Sequence, residues 1–274
     1  MPSSQQEIKS RLEYAVQFAR EAGRLTLEYF RRRDLAVERK SDASPVTVAD
    51  REAEQLLRQQ ISQQFPQDGI LGEEFPERVG TSGFRWILDP IDGTKSFIHG
   101  VPLYGTLVGL EYESEPVGGV IFIPPLDECL WAAKGQGAWY QQANSAREPA
   151  KVSTCTRLAE ALVVTSEIAN FDAIGRFEVF QRLNREARLL RTWGDCYGYL
   201  MVATGRAEVA IDPIMNIWDA AALLPILQEA GGTFTDWQGR PTVCSGQGVA
   251  TNGFVLNEVL AVLGCSDARQ DSSD

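Results

Sequence analysis

The chain has 274 residues, 44% of them hydrophobic and 23% charged, enough apolar material for one large domain or two ordinary ones. Lys and Arg number 26 against 37 Asp and Glu, so the formal charge is −11. That balance argues against wrapping nucleic acid or adhering to an anionic membrane, and a phosphate substrate would need a bound cation. The five cysteines form no C-x-x-C pair and read as reduced small hydrophobes, while a single histidine, His99, excludes any site with two histidine ligands. No apolar run approaches the ~20 residues of a membrane helix. The opening MPSSQQEIKSR lacks the apolar stretch of a secretory signal, so a cytoplasmic protein is expected.

Apolar positions at helical spacing predict a long amphipathic helix from Ile8 to Phe30, with Arg31, Arg32 and Arg33 as its solvated, dipole-favoured end. A second helix is expected from Thr47, where T-V-A-D has the form of a capping box, to a point before Pro66. Short β-prone runs follow at Ile70–Leu71, Phe84–Leu88, Leu103–Tyr112, Val117–Ile123 and Cys129–Ala133. Polar residues 141–150 read as the joint between two halves, 1–150 and 151–274, of one compact unit. In the second half strands at Ala161–Thr165 and Ala207–Ile211 alternate with helices at Phe171–Ala187, Tyr197–Ala203 and Asp219–Ala230, the last kinked or shortened by Pro225. The pattern is an α+β half joined to an α/β half.

The segment WILDPIDGTKSF, Trp86 to Phe97, is the most informative. An apolar strand ends in Asp89, and Asp92 follows around a turn stiffened by Pro90, which lets the Ile91 carbonyl face the same side as both carboxylates. Gly93 and Thr94 then open a helix, where unpaired amides offer a seat for phosphate. Three more acidic segments join it: LGEE with Glu73 after a strand, Asp50 in the first turn of the second helix, and Asp219 in WDAAALLPILQEAGG. Asp50 and Asp219 can also be read as plain helix N-terminal acids, and Glu73 as a solvated turn residue. Taken together they are an all-oxygen donor set, suited to Mg²⁺ or Mn²⁺ and unsuited to zinc or copper.

WILDPIDGTKSF, LGEE and WDAAALLPILQEAGG resemble the signature of the inositol monophosphatase family, Mg²⁺-dependent and lithium-sensitive phosphomonoesterases related to fructose-1,6-bisphosphatases, in order and spacing from Lys40 to Gly253. GTKSFIHGVPLYGTLVGL and GDCYGYLMVATGRAEVAID are more similar to the histidinol-phosphatase branch, since inositol phosphatases usually carry Thr-Asn at Lys95-Ser96. The resemblance implies a layered αβαβα sandwich, homodimers, and hydrolysis of histidinol phosphate in histidine synthesis. Inositol-1-phosphate or broad-specificity hydrolysis is the second enzymatic reading, and a regulatory interaction protein on the same fold is the non-enzymatic one.

Position by position, the resemblance makes Glu73, Asp89 and the Ile91 carbonyl ligands of a first Mg²⁺. Asp89, Asp92 and Asp219 would hold a second, and a third would sit near Glu73 through waters. Glu73 and Thr94 would orient and deprotonate the attacking water, with Asp50 holding Thr94. Phosphate would rest on Gly93 and Thr94, beside Asp92 and Asp219. Asp195 and Asp212 are expected to contact the cationic leaving group; their competing readings are a helix N-cap and a strand-end turn residue. Lys40 is either near the site or an exposed lysine before a loop. His99 and Cys196 are read as bystanders, and Trp193 or Tyr197 as core aromatics of which one could stack on an imidazole.

Overall fold

The computed structural model describes residues 4–39 and 45–264; the expectations for Lys40, the loop after it and the polar tail lie outside these. Helix α1 (Ser4–Thr26) is followed by a ladder of β1 (Val37–Arg39) with β2 (Pro45–Thr47), then by α2 (Val48–Gln64). Helix α1 ends four residues before Phe30, and turns carry the chain on, so the three arginines lie outside it. Helix α2 starts where T-V-A-D predicts: the Thr47 side chain caps the helix, and Asp50 accepts the Thr47 amide at 2.8 Å.

A seven-stranded sheet comes next, in the order β3 (Gly69–Gly72), β4 (Phe84–Asp92), β5 (Gly105–Tyr112), β6 (Glu115–Ile123), β7 (Glu128–Ala133), β8 (Ala138–Gln142) and β9 (Glu148–Pro149). Only the β3–β4 pair is parallel. Helix α3 (Thr94–Ile98) sits between β4 and β5. Residues 141–150, expected as a joint, instead contribute the end of β8 and β9, because polar residues suit an exposed edge hairpin.

The rest of the chain builds a five-stranded sheet, β11 (Leu189–Arg191), β10 (Leu162–Val164), β12 (Val209–Asp212), β14 (Gly248–Thr251) and β13 (Thr233–Thr235) in spatial order. Its helices are α4 (Ile168–Ala173), α5 (Phe177–Glu186), α6 (Cys196–Ala203), α7 (Ile217–Ala220), α8 (Leu223–Glu229) and α9 (Leu256–Val262). The single helix expected over Phe171–Ala187 is two, interrupted at Gly175, whose φ of +66° no helix interior accepts. The helix expected over Asp219–Ala230 is also two, α7 and α8. Pro225 falls in the first turn of α8, where its missing N–H leaves no intrahelical bond unmade.

Both sheets are apolar on both faces, which fixes the layering. Phe18, Leu57, Trp86, Leu88 and Phe122 seal α1 and α2 onto one face of the seven-stranded sheet. Ile121, Ile123 and Leu130 on its other face meet Leu200, Leu223 and Ile226 of α6 and α8, which also cover Ala210 and Phe234 of the second sheet. Val209, Ile211 and Val249 then meet Phe171, Leu183 and Val259 of the outer helices. The result is the expected αβαβα sandwich. Among the described residues no helix is long and apolar enough to cross a membrane.

Candidate active site

The site begins with a bulge. Asp89 pairs with Leu107 and Asp92 with Gly105, so three steps along β4 oppose two along β5. In a regular strand residues three apart point to opposite faces; one extra residue brings Asp89 and Asp92 to the same side. Strand β4 therefore runs on to Asp92, and the expected end at Asp89 with a turn beyond it is corrected. Pro90, which has no N–H to give to the ladder, sits within the bulge, and its carbonyl accepts the Thr106 hydroxyl at 2.9 Å.

The parallel pairing of β3 with β4 sets Gly72 beside Leu88 and so delivers Glu73 next to Asp89; the Glu73 amide donates to the Leu88 carbonyl at 3.2 Å. Asp219 arrives from the start of α7, where it accepts the Asn216 amide at 2.7 Å in a second capping box. Asp89, Asp92 and Asp219 bring their carboxylate oxygens within 4.8 Å of one another. Glu73 stands outside this triple, but it lines one cavity with Asp219 and its charge bears on Asp50, Asp89 and Asp219.

Thr94 opens α3 after Gly93, whose φ is +84°. Its hydroxyl lies 3.1 Å from the Ile91 carbonyl and 3.5 Å from Asp50, so Asp50 serves both the cap of α2 and Thr94. Asp92 accepts the Cys196 amide.

The carboxyls disturb one another. Burial, followed by the Glu73 charge, holds Asp89 well above the usual range, and burial with the Asp195 charge does the same to Asp92. Burial raises Asp219 to about 6, with the Asn216 amide opposing. Asp50 is raised to about 6 by burial, against its hydrogen bonds from Thr47, and Asp195 to about 7 by burial and then by Asp212. An all-oxygen cluster of one buried and two half-buried carboxyls that resists ionisation is the donor set a hard divalent cation satisfies, so the residues fit such an ion.

A cavity of about 470 Å³ reaches the cluster at Asp219. Glu73, Gly93, Thr94 and Asp219 line it, together with Lys95, Ser96, Ser166, Glu167, Asn170 and Trp193 among others. Asp195 lines it too, at the N-cap position of α6 with a φ of +52° but without capping the helix through its side chain. Asp212 is engaged within the protein: it accepts the Ser166 amide at 2.9 Å, the Tyr199 hydroxyl at 2.8 Å, the Thr165 hydroxyl at 3.3 Å and the Ser166 hydroxyl. Of the two aromatics, Trp193 is the one on the cavity, 40% exposed, whereas Tyr197 turns to Glu128 and Arg206. Cys196 is buried with its thiol pushed well up by burial and the Asp92 charge, as suits a packing residue, and His99 caps the C-terminus of α3.

A profile of the inositol monophosphatase family matches residues 7–271. The chain belongs to the inositol monophosphatase family. Enzymes of this family depend on divalent metal. The chain is 47% identical to a histidinol-phosphatase of Chlorobaculum parvum over 92% of this chain and 96% of that protein. It is 38% identical to a histidinol-phosphatase of Streptomyces coelicolor, over 87% and 91% respectively. Among solved structures, the extragenic suppressor protein suhB of Bartonella henselae superposes with a TM-score of 0.86 at 29% identity, covering 94% of this chain and all of that one.

Sequence reasoning missed the wall formed by Ser166, Glu167 and Asn170. Strand β10 is parallel to both its neighbours, β11 and β12, so the chain leaves its C-terminal end toward one side and returns on the other. Such switch points carry ligand crevices in α/β sheets, a signal that exists only once strand order is known.

Proposed function

We propose that this inositol monophosphatase family member hydrolyses histidinol phosphate to histidinol and phosphate, with Mg²⁺ as its cation and Mn²⁺ as a substitute. The observation that carries the reading is the carboxylate triple Asp89, Asp92 and Asp219, reached at Asp219 by a cavity whose lining holds Asp195, Glu167 and Trp193. Acidic and aromatic walls suit a leaving group that bears an ammonium and an imidazole. The two histidinol-phosphatase relatives support the same substrate.

Glu73, Asp89 and the Ile91 carbonyl would hold one ion, and Asp89, Asp92 and Asp219 a second. When bound, these ions supply charge neutralisation at the phosphate and a lowered pKa for water. The protein's own groups do the rest. The first amides of α3, at Gly93 and Thr94, have no partner within the helix and receive phosphate oxygens. With the Thr94 proton directed to Asp50, the Thr94 oxygen keeps lone pairs for a hydrogen bond from water, and Glu73 takes the proton that this water loses. The water oxygen bonds to phosphorus as the bond to the alcohol oxygen breaks, the departing alkoxide takes a proton from solvent while Glu73 returns its proton to solvent, and no phosphorylated protein intermediate forms. Asp195 contacts the leaving group; Asp212 keeps Ser166 and Tyr199 in place beneath it.

Phosphate release from histidinol phosphate and from inositol-1-phosphate, each with Mg²⁺ and with excess EDTA, tests the reading. A large preference for histidinol phosphate that disappears in EDTA is the expected result. Preference for inositol-1-phosphate overturns the substrate, and activity that persists in EDTA overturns the mechanism. The homodimer implied by the family is checked by light scattering on the eluting protein.

A further inference from the structure

Helix α2 reaches the site twice. One turn after Asp50, which meets Thr94, Glu54 points the same way and is fully buried. One of its oxygens accepts the Glu74 amide at 2.7 Å, and the other accepts the Arg58 guanidinium at 2.6 Å. Arg58 donates in turn to the Phe75 carbonyl at 2.8 Å. The carboxylate is pressed so closely on the strand end that a Cβ on Gly72 would lie 2.1 Å from it, which explains the glycine in LGEE. Residues 72, 74 and 75 are thus gripped on three sides of Glu73, whose own amide is tied to β4. Glu54 and Arg58 do not line the cavity.

We infer that Glu54 and Arg58 form a clamp that fixes the Glu73 carboxylate relative to Thr94, making α2 the beam that sets the spacing of the two groups that handle water. They are positioning residues, and the inference rests on the reading of Glu73 as a cation ligand. A loop that bears a ligand at its tip loses pre-organisation when its backbone is released, and partners of this kind cost about 10–100-fold in metal affinity when removed.

The test is calorimetric titration of Mg²⁺ into the full-length protein without substrate, with kcat and KM measured alongside. Glu54→Gln, which keeps one acceptor, is expected to weaken Mg²⁺ about tenfold and to lower kcat more than it raises KM; Glu54→Leu is expected to lose more. Arg58→Met leaves Glu54 in place but frees the Phe75 carbonyl, and is expected to weaken Mg²⁺ in the same direction if Glu54→Gln does not fold. Arg11→Met, which breaks the buried pair with Asp68 at the opposite end of β3 from Glu73, controls for lost stability and is expected to leave the Mg²⁺ titration unchanged. A Glu73→Gln variant separates the two layers of the argument. If it binds Mg²⁺ as the wild type does, the ligand reading of Glu73 is wrong; if it binds weakly while folded Glu54→Gln or Arg58→Met titrates as wild type, the clamp is wrong.

Discussion

Gly119 sits on β6 between Gly109 of β5 and Ala132 of β7, a trench of small residues across the sheet into which Ala221 and Ala222 of the α7–α8 junction settle. A Cβ on Gly119 would lie 2.3 Å from the Ala222 carbonyl oxygen and 2.6 Å from its Cα. Ordinary contact needs at least about 1 Å more, and the obstacle is backbone, so Gly119→Ala must lift the junction off the sheet. Overpacking of this kind costs about 1–3 kcal/mol. For 274 residues, at about 2.1 cal/mol/K each, that is a fall in Tm of about 2–5 °C. Asp219 rides two residues before the junction and shifts with it, and a misplacement of about 1 Å can cost about 10²-fold in rate. Differential scanning calorimetry and kcat/KM for histidinol phosphate measure the two effects. Gly135→Ala is the comparison: its φ is +78° and nothing lies within 4 Å of the added carbon, so it carries backbone strain without displacement. If Gly119→Ala loses no more activity than Gly135→Ala, the argument that close sheet–helix packing places Asp219 is wrong.

Asp89→Asn removes a charge from a crowded cluster, so it should lower kcat/KM by about 10²–10³-fold yet raise the denaturation midpoint in EDTA; a lower midpoint contradicts the repulsion. The sign of the pH dependence follows from the same crowding. Asp50, Asp195 and Asp219 titrate at about 6, 7 and 6 in the fold, against 3.8 as the ordinary value. The folded state therefore binds more protons than the unfolded one across that interval, and metal-free stability should fall as pH rises from about 4 to 7. Saturating Mg²⁺ should flatten or reverse the trend, and urea midpoints at several pH values check both arms. Lys95 and Glu167 form an exposed ion pair across the cavity mouth. Glu167→Gln should leave stability within about 1 kcal/mol while raising KM for histidinol phosphate more than for inositol-1-phosphate, and equal shifts in the two KM values refute a role for Glu167 in selecting cationic leaving groups.

Local chemistry made the centre of the site legible. Capping chemistry put Asp50 at the head of α2, and the Asp-Pro-x-Asp spacing put two carboxylates and a carbonyl together. The bulge that does so was read as a turn, because in a sequence an interrupted ladder and a reversal share the same Pro signal. The strand β11 escaped notice because three residues behind a helix carry no alternation of their own. Lys95 and Glu167 are 72 positions apart and meet only through the packing of α3 against the loop after β10. Asp212 shows a similar limit from the other side: its place at a strand end was visible, but the four donors that hold it come from the loop after β10 and from α6.

The extra residue in β4 also bears on which lengths of this chain evolution can sample. Removing Pro90 or Ile91 would restore a regular pleat that keeps the two carboxylates on one side but returns the carbonyl between them to the ladder with β5, away from Thr94. Insertions and deletions can therefore accumulate at the hairpin tip between β8 and β9, while these four codons must keep their number through every descendant that retains the chemistry.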